Sequence, residues 1–319
     1  MVATPDGGFL VLWLVELERP QSQFSGRVAV QAKRFSATGT TLWEARVSDA
    51  NNQVIERPMV QATAEGFVFA WTSKPVFTMP GRGYLQRLAS DGSLLGTSVE
   101  VASGYGQQQV SAVPLRDGSI LAVWLDGVNP SERSPYSRRF DASLGAMTPP
   151  APVLDASTSN VLAVSAAALS NGNVGLGWIV GSSAGVGVEV RSAVLSQLGT
   201  PVSAIQGTST GLPEAGSATR FTSPSITVVS LGAGGFGVAW QIEERNDREA
   251  AATIWLRRFA LSGMPADNAP LEVESRQTAA ADSGLQAGSG FGLAGGPDAH
   301  FVAAFHRAEA APHTYLMGQ

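Results

Sequence analysis

A tryptophan-centred motif recurs along the chain and constrains the fold more than any other feature of the sequence. A glycine, a short apolar run and a tryptophan follow one another at residues 8–13, and similar segments return along the whole sequence. In the last copy phenylalanine replaces tryptophan, so that the aromatic residues are Trp13, Trp71, Trp124, Trp178, Trp240 and Phe305. Such periodicity indicates a modular fold in which each copy forms one supersecondary unit.

Each copy carries the same strand and turn signals. An apolar strand precedes a turn such as Asp117-Gly118 or Asn171-Gly172, and these residue pairs supply the positive φ angles of a tight hairpin. The tryptophan strand follows, then a loop, a strand with an arginine beside an aromatic residue or leucine, a glycine turn and a last strand. Apolar residues alternate with a period of two and no helix signal is present. We therefore predict four antiparallel strands per copy, named a to d.

Six copies of a four-stranded unit of about 55 residues are typical of a propeller. The sequence predicts an all-β, six-bladed β-propeller of four-stranded antiparallel blades, with an incomplete last blade whose copy stops within strand c. Either that blade stays three-stranded or the chain is part of a longer polypeptide. We expect a single domain over residues 1–319, with repeats at 1–57, 58–107, 108–159, 160–224, 225–283 and 284–319.

The repeated aromatic and arginine residues are interpreted as structural anchors. Alternate residues of a strand share one face, and a tryptophan at the same station in several blades is typical of packing between blades. The strand-c arginines are expected to stack on aromatic rings or to bond carbonyl groups of neighbouring loops. These anchors are Trp13, Trp71, Trp124, Trp178, Trp240, Arg34, Arg87, Arg139 and Arg258.

The connections between strands are unequal in length. The a–b and c–d turns are short, whereas the b–c and d–a loops are long and differ between copies, and in a meander these long loops emerge at the same end of every sheet. Function usually resides in loops carried by a rigid scaffold, although neutral insertion is an alternative explanation. We predict ligand-binding residues on this long-loop face: Asp49, Asn51, Arg57, Tyr105, Asp126, Glu132, Glu243 and Arg245.

Composition and missing motifs exclude several classes of function. The chain has no cysteine, which excludes disulfide scaffolds, thiolate zinc sites and cysteine nucleophiles. A net charge of −5 disfavours a nucleic-acid surface. No apolar run approaches the roughly 20 residues of a membrane-spanning helix, and no leader peptide is recognisable. We find no catalytic signature and no complete metal-binding motif, and we expect no catalytic residue, metal or cofactor.

The best-formed copies of the unit, Asp6 to Trp13 and Tyr136 to Gly145, resemble a repeat that is common in bacterial secreted and surface proteins. The resemblance extends loosely over the whole chain, and the fourth and sixth copies depart from it because they lack the arginine pair. It implies a propeller in an extracytoplasmic setting, often within a larger adhesin-like or lipid-anchored protein. It implies no enzyme activity and no catalytic residues.

These observations together predict a non-catalytic binding or interaction module of a bacterial periplasmic, cell-surface or secreted protein. Its ligand, a glycan or a protein, is expected on the long-loop face. Two alternatives stay open. The first is a propeller hydrolase or lyase that acts on a carbohydrate at the channel mouth, and the second is a structural segment of a longer surface protein.

Overall fold

The computed structural model describes most of the chain, and its residues fall into two compact units. The described residues are 1–18, 27–48, 54–74, 81–104, 106–129, 132–154, 160–181, 188–209, 220–245, 249–279, 291–295, 301–308 and 312–318. Unit 1 consists of Met1–Asn129 and Arg133–Asp155, and unit 2 consists of Pro130–Glu132 and Ala156–Gln319. The single domain stays a prediction, and each unit is described by itself.

Unit 1 contains three antiparallel meanders in the part that the structure describes. The first sheet comprises β1 (Val2–Ala3), β2 (Phe9–Glu18), β3 (Arg27–Phe35) and β4 (Thr41–Arg46). The second comprises β5 (Val54–Thr63), β6 (Gly66–Lys74), β7 (Arg82–Ala89) and β8 (Leu94–Glu100). The third comprises β9 (Gln108–Pro114), β10 (Ile120–Asp126), β11 (Ser134–Phe140) and β12 (Ala151–Pro152).

Unit 2 continues the same pattern. The fourth sheet comprises β13 (Val161–Ala168), β14 (Val174–Gly181), β15 (Val188–Leu195) and β16 (Gln206–Ser209). The fifth comprises β17 (Arg220–Ser230), β18 (Phe236–Arg245), β19 (Glu249–Phe259) and β20 (Leu271–Ala279). The last sheet comprises β21 (Phe291–Gly295), β22 (Phe301–Ala308) and β23 (Pro312–Gly318).

The chain is an all-β β-propeller of four-stranded antiparallel blades. Among the described residues five blades have four strands, and the sixth repeat forms a three-stranded sheet. The predicted count of six blades is therefore corrected to five. The count differs because the last repeat supplies only strands a, b and c within its described residues, whereas every earlier repeat supplies a strand d as well.

Two strands begin earlier than the repeat boundaries predicted, and both contain a proline. β5 begins at Val54 rather than residue 58, and β17 begins at Arg220 rather than residue 225. In each strand the register shifts at the proline, between Glu56 and Met59 and between Thr222 and Ser225. Proline has no N–H to donate to the ladder and is tolerated within a strand at a bulge. Both strands therefore continue through prolines that the predicted repeat boundaries placed at their start or just before it.

Three of the strand-b tryptophans fill the space between their own sheet and the one before it in the same unit. Trp71 packs with Leu10 and Val30 of the first sheet, and Trp124 packs with residues of the second. In unit 2 Trp240 packs against the fourth sheet in the same way. The side chains of Trp71, Trp124, Trp178 and Trp240 are fully buried, at 0% exposure. Removing such large apolar surfaces from water supplies much of the stabilisation between consecutive sheets.

Candidate functional site

The sheets of unit 1 have two ends of different character. One end, here called the turn rim, consists of the short a–b and c–d turns, which lie at residues 4–8, 36–40, 63–66, 89–93, 115–119 and 141–145. Asp-Gly turns behave as predicted there: Gly118 has a φ of 82°, and its N–H donates to the carbonyl oxygen of Leu115 at 3.1 Å. The other end, here called the loop rim, carries the b–c and d–a connections.

The charged side chains of the turn rim are engaged in structural contacts. Arg34 pairs with Asp6 at 2.6 Å, Arg87 pairs with Glu65 at 3.1 Å, and Arg139 pairs with Asp117. Each of these acids lies in the a–b turn of the arginine's own sheet. In the fifth sheet the arginine has a partner outside the a–b turn. Arg258 pairs at 2.7 Å with Asp267, which lies between β19 and β20. The arginines of the turn rim are therefore engaged in contacts within the protein.

Two of these arginines also reach the following sheet. Nη1 of Arg34 donates to the carbonyl oxygen of Ser90 at 2.6 Å, and Nη1 of Arg87 donates to the carbonyl oxygen of Ala142. Both acceptors lie in a c–d turn of the next repeat. Each arginine thus fastens the turn of its own sheet to that of its successor.

The loop rim of the second sheet carries a polar group that lies partly in solvent. Arg82 begins strand c and pairs through Nη1 with Oε1 of Glu100, at the end of strand d, at 2.8 Å. The hydroxyl of Tyr84 donates to the same Oε1 at 3.3 Å. The Arg82 and Glu100 side chains are each 34% exposed. Cross-strand pairing of Tyr84 with Glu100 brings the three residues together.

Packing holds the Tyr84 ring in place. It stacks on the buried Trp71, with ring centroids 5.8 Å apart and an interplanar angle of 17°. Burial, followed by the charge of Glu100, raises the pKa of the Tyr84 hydroxyl above its ordinary value. Tyr84 is therefore a neutral hydrogen-bond donor at physiological pH and a poor general base.

A second polar group lies at the loop rim of the third sheet. Asp126 ends β10, and burial raises the pKa of its carboxyl, while hydrogen bonds from the Gln107 side chain and the Gly127 N–H offset part of that rise. Gln107 is 2% exposed, and its Oε1 has no hydrogen-bond partner among the described residues. A buried acceptor without a donor is costly, and Gln107 acts in this group through the hydrogen bond that it donates to Asp126.

The backbone joins these two groups. The N–H of Gly106 donates to the carbonyl oxygen of Gly81 at 2.8 Å, which ties the start of strand c in the second sheet to the start of strand a in the third. A Cβ atom on Gly81 would approach Thr72 Cγ2 at 2.4 Å, so only glycine permits this approach. The combined surface is here called the loop-rim patch and consists of Arg82, Tyr84, Glu100, Gln107 and Asp126.

The eight ligand-binding residues predicted from the sequence are distributed differently. Asp126 belongs to the loop-rim patch, and Glu132 lies exposed in the loop after β10. Asp49, Asn51 and Tyr105 lie outside the described residues. The structure gives only backbone positions for Arg57, at the bulge of β5, and for Glu243 and Arg245, which pair with Thr222 and Arg220.

Four residues of the patch were missed by sequence reasoning: Arg82, Tyr84, Glu100 and Gln107. The available signal was positional, because Arg82 and Tyr84 are alternate residues at the loop end of strand c. Glu100 joins them only through the c–d register, and that register shifts between Leu85 and Arg87. Matching each strand to its repeat motif therefore does not reveal that Glu100 lies beside Arg82 and Tyr84.

Within the described ranges, no cluster of three or more His, Cys, Asp or Glu side chains is arranged to hold a metal ion. The same ranges include no helix that has the length and hydropathy needed to cross a membrane.

Comparison with known proteins identifies the fold. No protein-family model and no curated protein matches the sequence. The chain is similar in structure to an ulvan lyase, a polysaccharide lyase bound to -[GlcA(1-4)Rha3S]-, with a TM-score of 0.52, 10% identity and coverage of 100% of this chain and 78% of that one. It is also similar to a protein of unknown function from Dyadobacter fermentans DSM 18053, with a TM-score of 0.55, 11% identity and coverage of 98% and 91%. At these identities the likeness shows a shared β-propeller fold.

Proposed function

We propose that the chain is a non-catalytic carbohydrate-binding module of a bacterial extracytoplasmic or surface protein and that its ligand binds at the loop-rim patch. The observation that carries this proposal is the contrast between the two rims of unit 1. The turn rim commits its arginines to ion pairs and to carbonyl groups of the next sheet. The loop rim presents the Arg82–Glu100 pair, whose arginine side chain is 34% exposed, whereas the paired arginines of the turn rim, Arg34, Arg87 and Arg139, are 15%, 9% and 14% exposed.

The patch offers the groups that a sugar hydroxyl needs. Arg82 is a donor, whereas the Glu100 and Asp126 carboxylates are acceptors. Mutual hydrogen bonds and stacking on Trp71 fix several of these side chains before any ligand arrives. Such pre-organisation lowers the entropy that binding must overcome. The fold likeness to a lyase that binds an acidic polysaccharide supports the choice of a glycan over a protein ligand.

A glycan array, followed by calorimetry on the strongest ligand, tests this proposal. Asp126→Ala should weaken binding by about tenfold or more, which is the effect of losing a partly buried hydrogen-bonding carboxylate. The matched control is Asp91→Ala, which removes an exposed carboxylate from the turn rim and should leave affinity unchanged. Equal losses in the two variants, or specific capture of a protein and of no glycan, would count against the proposal.

The enzyme alternative has one feature in its favour. The raised pKa of Asp126 is a property that a general acid needs. Prolonged incubation of the bound glycan with the wild-type chain, followed by measurement of new reducing ends and of unsaturated sugar products, distinguishes the two functions. Binding without product supports a module, whereas turnover that Asp126→Asn abolishes would establish an enzyme.

A further inference from the structure

Strand β9 contains a residue in an unusual backbone conformation. Gln109 has a φ of 54°, which lies in the left-handed region that glycine favours. Among the residues that the structure describes, the other non-glycine residues with positive φ are Leu144, in a c–d turn, and Asn160, which precedes β13. Gln109 is therefore the one such residue that lies within a described strand.

This conformation belongs to a β-bulge. The register between β9 and β10 shifts after Val123 and resumes at Leu125. Two residues of β9, Gln109 and Val110, therefore lie opposite the single residue Trp124. A residue in the left-handed conformation at the first position of such a bulge is normally glycine. Glutamine in this place costs conformational free energy, and costs of this kind concentrate at functional sites.

Bulges in other copies of strand a are built differently. Strands β5 and β17 also contain a bulge, and it includes Pro58 in the first and Pro224 in the second. Proline fixes φ at about −65°, far from the left-handed region. A strand-a bulge can therefore be built around proline, so the repeat itself does not demand a left-handed glutamine.

Gln109 lies beside the loop-rim patch. It follows Gln107 by two residues, and the Gln107 side chain bonds the carboxyl group of Asp126. Both neighbours of Gln109 in β9, Gln108 and Val110, are buried, whereas Gln109 is partly exposed. Bulges are common beside functional sites, where they set the direction of a side chain. The conformational cost is accounted for if the partly exposed amide binds the same ligand as the patch.

We propose that the side-chain amide of Gln109 binds the glycan and recognises two adjacent hydroxyl groups of one sugar ring. This inference rests on the function proposed above and names the feature of the glycan that this part of the site selects. An amide offers donors at Nε2 and an acceptor at Oε1, which match a pair of neighbouring hydroxyls. The charged groups of the patch offer one role each, because Arg82 only donates and ionised Glu100 only accepts. Gln109 thus adds specificity for a neutral diol.

Replacement of Gln109 by glycine should raise stability and weaken binding. Gln109→Gly relieves the left-handed conformation and removes the amide, so the melting temperature should rise by about 1–3 °C. Gln61→Gly is the matched control, because Gln61 lies in strand a of the second sheet, opposite Val68 and close to the turn rim. The same change there should lower the melting temperature, since glycine weakens a regular strand, and should leave affinity unchanged.

An array of neutral oligosaccharides, each printed beside its monodeoxy counterparts, tests the recognition of the hydroxyl pair. The wild-type chain should bind an intact oligosaccharide about tenfold more tightly than either counterpart that lacks one of two adjacent hydroxyls. Gln109→Gly should bind all three with similar, weaker affinity. Gln109→Asn should show the same loss, because asparagine tolerates the left-handed conformation but withdraws the amide by one methylene group.

The contrary results are distinct from one another. Glycan binding that Asp126→Ala weakens and Gln109→Gly leaves unchanged would overturn this inference while the proposed function stands. If Gln109→Asn discriminated between the oligosaccharides like the wild type, the effect of Gln109→Gly would belong to the backbone and not to the amide. A lower melting temperature for Gln109→Gly would show that the glutamine is retained to stabilise the bulge. If the wild-type chain bound no glycan, this inference and the proposed function would both be wrong.

Discussion

Nη1 of Arg34 donates a hydrogen bond to the backbone carbonyl oxygen of Ser90 at 2.6 Å and so connects strand c of one sheet to the c–d turn of the next. The same side chain reaches back through Nη2 to Asp6 in its own a–b turn. Arg87 repeats the arrangement with Ala142 and Glu65. In the first two repeats the strand-c arginine therefore links two turns in two sheets.

The two contacts of Arg87 should differ in strength. Its side chain is 9% exposed, whereas that of Glu65 is 73% exposed. We expect Arg87→Ala to lower the free energy of unfolding by about 1–3 kcal/mol, because it removes a charge-assisted bond to a carbonyl group. Glu65→Ala should lower it by less than about 0.5 kcal/mol, as exposed ion pairs contribute little. Urea denaturation measures both, and losses of equal size would show that the ion pair is the important contact.

The tryptophans should rank in stability by their burial. Trp124→Ala is expected to cost about 3–5 kcal/mol, the range for a large aromatic side chain removed from a packed interior. Trp13→Ala should cost less, below about 2 kcal/mol, because Trp13 is already half-exposed and its loss opens a smaller cavity. Equilibrium unfolding of the two variants provides the comparison. A loss under about 1 kcal/mol for Trp124→Ala would contradict its place in the core.

Asp126 should make the protein less stable as pH rises. Its folded-state pKa is raised by burial, so its stabilising contribution is complete below the ordinary pKa of aspartate and is lost as pH rises through the folded pKa. Near neutral pH the ionised carboxylate therefore destabilises the fold. Asp126→Asn should raise the melting temperature near neutral pH and change it little in acid. If Asp126→Asn instead had a lower melting temperature than the wild type near neutral pH, the raised pKa assigned to Asp126 would be wrong.

Asp141 should behave in the opposite way. Backbone N–H groups of Gly145 and Ser143 donate to its carboxylate and lower its pKa. Its contribution is therefore present above the ordinary pKa and is lost as pH falls through the lowered folded value. Asp141→Asn should reduce the melting temperature near neutral pH, and this difference should vanish in strong acid. A difference that is independent of pH would mean that the carboxylate charge has no role in the turn.

The repeat made much of the fold predictable, since turn residues and alternating apolar residues are local signals. Where the sequence misled, the cause was tertiary. Pro58 was expected at a strand start and Pro224 at the end of a loop, yet bulges accommodate both within longer strands. Trp13 matches the motif of Trp71 but is only half-buried, whereas Trp71 packs against Leu10 and Val30 of the sheet before its own.

The candidate site was less predictable than the fold. Asp126 was identified because it follows a strand-b tryptophan at the start of a long loop. Arg82, Tyr84 and Glu100 meet through cross-strand pairing between β7 and β8, and the bulge in that pair hides the meeting from a reading of either strand alone. Gln107 acquires its importance from burial beside Asp126, which no local pattern records.

The central claim is that a glycan binds the loop rim of unit 1. Hydrogen exchange of the chain with and without the strongest glycan of the array measures this directly. Glycan binding at the loop rim should slow exchange at residues 81–84, 100–104, 106–108 and 126–127, with no change in the turns at residues 36–40, 89–93 and 141–145. Protection confined to those turns, with the loop rim unaffected, would contradict it.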